Sequence, residues 1–98
     1  MDIYRQGDLG FIPIDALPQS AVKSKSRLLR RGEHGGLHQL DREPAAEIYV
    51  LEGKKFILAK DGALVIHGEH GAVSLPAGLY EVRVQRELMD SRELRVVD

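Results

Sequence analysis

Four histidines carry most of the chemical potential of this 98-residue chain: His34, His38, His67 and His70. Neutral imidazole is the commonest protein metal ligand, and its charge changes near neutral pH. The four fall in two segments. "RGEHGGLHQLDRE" holds Glu33, His34, His38 and Glu43, while "IHGEHG" holds His67, Glu69 and His70. A mononuclear site needs about three such groups around one ion, with further hydrogen bonds that fix each ring's tautomer. Neither segment supplies that alone. A divalent metal is therefore expected only if His67 or His70 approaches His38, and the candidate ligands are His38, His67, His70 and Glu33. The competing reading is plainer. Residues three apart in a strand face opposite sides, and the glycines of "HGEHG" permit a tight reversal. On that reading the segment is a turn between a strand ending at His67 and one starting near Ala72.

A second candidate is electrostatic. The formal net charge is −1, which argues against strong non-specific nucleic-acid affinity for the chain as a whole. The distribution is uneven, however. Lys23, Lys25, Arg27, Arg30 and Arg31 fall together with no acid among them, so the other 9 basic residues face all 15 acidic ones. The stretch reads first as a solvated surface segment. Its functional reading is a nucleic-acid or polyanion site, although it contains no aromatic ring on which a base could stack.

Other chemistry is excluded more simply. With no cysteine there is no disulfide, thiol nucleophile or thiolate zinc site. The lack of cysteine fits a reducing cytoplasm. No phosphate-loop or dinucleotide glycine spacing occurs, and no serine stands in a Gly-x-Ser-x-Gly frame. Apolar runs last only a few residues, as at Ile48 to Leu51, so neither a transmembrane helix nor a signal peptide is expected, and no membrane partner. Without a complete catalytic set, the chain reads foremost as a non-enzymatic module. It would act through self-association, as a homo-oligomer, or by binding a protein partner across unpaired strand edges.

The elements that must position these residues are strands. Short apolar runs alternate with glycine and proline, the pattern of an all-β domain. "LGFIPI" reads as a strand, and Pro13 places it at an edge or bulge. "EIYVLEGKKFILA" gives a hairpin about Glu52-Gly53, and "KDG" turns again before "ALVIH". From Tyr80 the alternation is clean: Tyr80, Val82 and Val84 face inward, toward Ile48, Val50, Phe56, Leu58, Val65 and Leu75. Residues 15–26 read as loop, and Leu94 and Val96 fit a last strand. About nine short strands imply one small domain, a barrel or a two-sheet sandwich of mostly antiparallel strands. At this length the chain can bury roughly 60–70% of its unfolded surface without covalent staples.

Two resemblances accompany this reading. "GEHGGLHQLDRE" resembles the first cupin motif at Gly32 and His38, with Leu40 at the second histidine position and Glu43 one residue early. "GAVSLPAGLYE" is similar to the second cupin motif at Gly71, Pro76 and Gly78, with Glu81 at the histidine position. The resemblance implies a barrel-like shape and His38 as a ligand position. The spaced pattern "RQGD…IP…LP…RGE…H…HGEHGAVSLPAGLYEVRVQRE…RVVD" resembles a family of small uncharacterised bacterial and phage-associated proteins along nearly the whole chain. That second likeness implies a free-standing β domain and no particular chemistry.

Overall fold

The structure is a computed structural model that describes residues 2–32, 36–84 and 95–97. Its strands are β1 (Asp2–Gln6), β2 (Leu9–Ile14), β3 (Val22–Ser24), β4 (Leu28–Arg31), β5 (Leu37–Leu40), β6 (Glu47–Leu51), β7 (Lys54–Ala59), β8 (Ala63–Ile66), β9 (Val73–Leu75), β10 (Gly78–Val84) and β11 (Arg95–Val97). Among the described residues there is no helix. A seven-stranded sheet runs β11-β1-β2-β10-β7-β6-β3, and a four-stranded sheet runs β4-β5-β8-β9. The pairing is antiparallel except between β1 and β11, which run parallel. The fold is thus all-β and sandwich-like, with more strands than the sequence suggests. The additional ones include β3, inside the stretch that reads as loop.

Local chemistry explains the turns. Glu52 and Gly53 both take positive φ, 50° and 79°, which is the backbone twist a two-residue hairpin needs. Between β3 and β4, Ser24 Oγ accepts from the Ser26 amide and Ser26 Oγ from the Leu28 amide. These serines satisfy backbone donors where no ladder does.

Pro13 does not mark an edge strand: β2 lies between β1 and β10. The proline is accommodated because β1 pairs with β2 only over Leu9 to Phe11, so Pro13 meets Tyr80 of β10 alone. It occupies a local edge of an interior strand, where a missing N–H costs little.

The core lies between the sheets. Ile48, Ile57 and Tyr80 stand in adjacent register across β6, β7 and β10, and join Leu9, Phe11, Val65 and Leu75 in one cluster. Tyr80, Val82, Ile48, Val50, Val65 and Leu75 therefore sit as the sequence predicts. Phe56 and Leu58 do not. Ile57 and Ala59 point into this core, while Phe56 is buried outside that cluster. The run "FILA" is apolar at every position, so alternation could not reveal which face it presents. Ile3 and Ile12 form a second, smaller cluster, so the seven-stranded sheet also buries apolar groups apart from the main core.

Candidate metal centre

Three distant segments meet where β1 packs against β9. The end of β1 supplies Gln6, and the β1–β2 turn supplies Gly7 and Asp8. β5 supplies His38. The connection between β8 and β9 supplies His67 and His70. His38 is fully buried, His67 is half-buried and His70 is exposed. The ring centroids of His38 and His67 are 4.4 Å apart, those of His67 and His70 4.6 Å, and those of His38 and His70 6.4 Å. The two histidine segments therefore do converge, with the His67 ring between the other two.

Hydrogen bonds fix the tautomers. Gln6 Nε2 donates to the carbonyls of Val65 at 3.0 Å and Gly71 at 2.9 Å. Both partners are pure acceptors, so the amide cannot flip, and Oε1 must face His38 Nδ1 at 3.0 Å. His38 Nδ1 is accordingly the protonated nitrogen. Its Nε2 then faces Asp8 Oδ1, also at 3.0 Å. In a neutral ring this pairs a nitrogen lone pair with a carboxylate oxygen, and two acceptors repel unless a cation lies between them. A proton on Nε2 meets the need but makes a buried imidazolium. Burial holds His38 below its ordinary value of 6.5, the hydrogen bond to Asp8 opposes that shift, and the neighbouring His67 and His70 reinforce it.

His67 has a different task. Its Nδ1 accepts from the backbone amides of Glu69 at 2.9 Å and His70 at 3.2 Å. The ring caps its own turn, much as an Asn or Asp side chain does, and in its neutral form carries its proton on Nε2. "HGEHG" therefore lies in a turn, with β8 ending at Ile66 and β9 starting at Val73, each one residue from the expected bound, and the imidazole performs part of the turn chemistry.

Glycines make room for the rings. A Cβ on Gly36 would fall on the His67 imidazole, and one on Gly32 would approach its Nε2 to 3.2 Å. Gly7, at φ +58°, lies beneath His70, whose Nε2 would be 2.6 Å from a Cβ there. Gly7 thus answers to two constraints, a left-handed turn and a ring seated on it.

Among the described residues, no three His, Asp or Glu side chains already stand ready to hold one ion. His38, His67 and His70 come together, and Glu33, like His34, lies outside the described residues. Gln6 and Asp8 hydrogen-bond to His38, the His67 ring lies against it, and His70 stands beyond His67. The two cupin-motif glutamates are elsewhere: Glu43 is exposed, and Glu81 pairs with Arg83. Gln6 and Asp8 are the site residues that sequence reasoning misses. Their one visible signal is "QGD", which reads as an ordinary turn.

The basic stretch is divided. Lys23, Lys25 and Arg27 line a cleft of about 620 Å³ with Glu47 and Ile48. There Lys23 pairs with Glu47, which raises the lysine pKa and lowers that of the acid. Arg27 donates to the Asp41 carbonyl at 3.3 Å. Arg30 and Arg31 line a separate cleft.

A family model described as a domain of unknown function, DUF8820, matches residues 5–85. The chain belongs to that family. The DUF8820 match runs through every site residue above, from Gln6 to Gly71. No curated protein and no solved structure matches the chain. Among the described residues, no helix is long and apolar enough to cross a membrane.

Proposed function

We propose that this chain is a non-enzymatic binding module whose ligand is a divalent transition-metal ion held by Asp8, His38 and His70. The reading rests on the 3.0 Å approach of His38 Nε2 to Asp8 Oδ1 while Nδ1–H is committed to Gln6. Two donors each about 2.0–2.2 Å from one ion, at a right angle, stand about 3 Å apart. Gln6 acts as the orienting partner that ligating histidines need on their other nitrogen. An imidazole and carboxylate donor set suits zinc, nickel, cobalt or iron(II). His70 is the third ligand because its ring nitrogens bond to no described residue and its Nε2 lies over Gly7, the residue before Asp8 in the chain. Its approach requires the turn at 67–71 to shift, and Gly68 and Gly71 border open space. His67 remains the cap of that turn.

Isothermal titration of untagged protein with Zn(II) and Co(II) tests this. One ion per chain is expected, and Asp8→Asn and His70→Ala should each weaken binding at least tenfold. Asp8→Asn keeps the fold because its amide can donate to the His38 Nε2 lone pair. No uptake of either ion, or uptake unchanged in both variants, refutes the reading.

A second reading, association of two copies, is favoured by one observation. Val22 on edge strand β3 is 68% exposed, and among the described residues no strand pairs with the outer side of β3. Sedimentation velocity decides it: a dimer that Val22→Lys converts to monomer supports the reading, and a monomeric wild type at high concentration removes it.

A further inference from the structure

The cleft that takes Arg30 and Arg31 lies between the two sheets and adjoins the metal centre only at Arg30, the cross-strand partner of His38. Its volume is about 590 Å³, within the usual range for ligand sites. Residues of three strands supply the charge: Arg30 and Arg31 from β4, Lys54 and Lys55 from β7, and Arg83 from β10. Glu81 is the one acid in the lining among the described residues. Five cations and one acid among the described residues leave the lining at +4. The rest of the chain then holds 9 basic and 14 acidic residues, or −5. The cleft is therefore net positive while the rest of the chain is net acidic, and a concave cluster of one sign focuses a potential on an anion.

The cations differ in how far they are committed. Lys55 Nζ donates to the Leu28 carbonyl at 3.0 Å and ties β7 to β4. Arg83 pairs with Glu81. Arg30 lies 3.9 Å from Asp8, an open and weak contact. Arg31 and Lys54 are exposed and form no ion pair with a described acid. Among the described residues the lining contains no aromatic ring on which a base could stack. Apolar contact among the described residues comes from Leu9, Leu28, Leu29, Val82 and Val84.

We infer that this cleft binds consecutive phosphate groups through their charge, with Arg31 and Lys54 as the principal contacts, without reading bases. The phosphates can come from a nucleic-acid backbone or from a short polyphosphate, and the two sources are separable by experiment. Arginine offers a fork that fits phosphate oxygens, and lysine a point charge that follows them.

The test uses the full chain with two probes: a fluorescent mixed-sequence single-stranded oligodeoxynucleotide and inorganic tripolyphosphate. Binding is followed by anisotropy and calorimetry across a salt series. Tight oligonucleotide binding with affinity independent of sequence identifies the nucleic-acid source. Its logarithm should fall with log salt by about 0.7 for each phosphate neutralised. Tripolyphosphate binding with a weak oligonucleotide signal identifies the short polyphosphate. In either case Arg31→Glu with Lys54→Glu, which takes the lining from +4 to 0, should weaken binding more than tenfold. Lys25→Glu, outside the cleft, should leave it within twofold. Circular dichroism melts confirm that both variants fold. Failure of both probes to bind at low salt overturns the inference, as does equal loss in the Lys25→Glu control.

Discussion

Gln6→Leu is the most informative single substitution. Leucine keeps nearly the same volume but removes three hydrogen bonds: to the Val65 carbonyl, to the Gly71 carbonyl and from His38 Nδ1. Gln6 is 2% exposed and His38 is fully buried. Water can replace the partner of Gly71, which is exposed. The Val65 carbonyl keeps its pairing with Val73, but His38 Nδ1–H has no such recourse; a buried unsatisfied group costs about 1–3 kcal/mol and each lost hydrogen bond about 1 kcal/mol. The loss should be about 3 kcal/mol, a large share of the roughly 5–15 kcal/mol that stabilises a domain. In melting temperature this is a drop of roughly 12–24 °C for a chain of this size. Urea unfolding followed by far-ultraviolet circular dichroism reads the change directly. With Nδ1 unpinned, metal affinity should also fall about 10- to 100-fold. A stability change under about 0.5 kcal/mol would refute the claim that Gln6 is the keystone of this site.

Other consequences follow from the same geometry. Burial lowers the His38 pKa, so the unfolded chain takes that proton first. His38 therefore makes stability fall as pH drops from 6.5 through its folded value, with no slope from this group above 6.5. Urea melts between pH 5 and about 8 should show that slope, and its absence in a variant lacking His38 assigns it. Gly36→Ala should displace the His67 ring and disturb the turn at 67–71, visible as shifted amide resonances of Glu69 and His70. Ile57→Ala, at a fully buried position, should cost about 2–5 kcal/mol in urea unfolding. Tyr80→Phe removes the hydrogen bond to the Pro76 carbonyl and should cost about 1 kcal/mol.

Parts of this architecture are legible in the sequence because the cause is local. The Glu52-Gly53 hairpin, the alternation from Tyr80 and the "HGEHG" turn each depend on neighbouring residues. His38 stands out by type and by its glycine-rich surroundings. Other parts are not local. Gln6 reaches the Val65 carbonyl across 59 residues of sequence, and its burial depends on β1 meeting β9. The facing of "FILA" is set by pairing with β6 and β10 rather than by its own pattern. The basic stretch reads as one patch in sequence, but a register shift between Leu28 and Arg30 interrupts it and two clefts share it. Charge density along a chain does not record which cations an acid from another strand, such as Glu47, will neutralise.

The central claim is that His38 presents an unprotonated Nε2 to a cation shared with Asp8. Long-range proton–nitrogen correlation spectra of the uniformly labelled, untagged protein at neutral pH report each ring nitrogen separately. Before metal, His38 should carry its proton on Nδ1. On addition of one equivalent of Zn(II), the Nε2 signals of His38 and His70 should move while Nδ1 of His38 stays protonated and His67 Nδ1 remains an acceptor. A metal-free His38 protonated only on Nε2, or ring nitrogens that zinc leaves unmoved, would contradict the account.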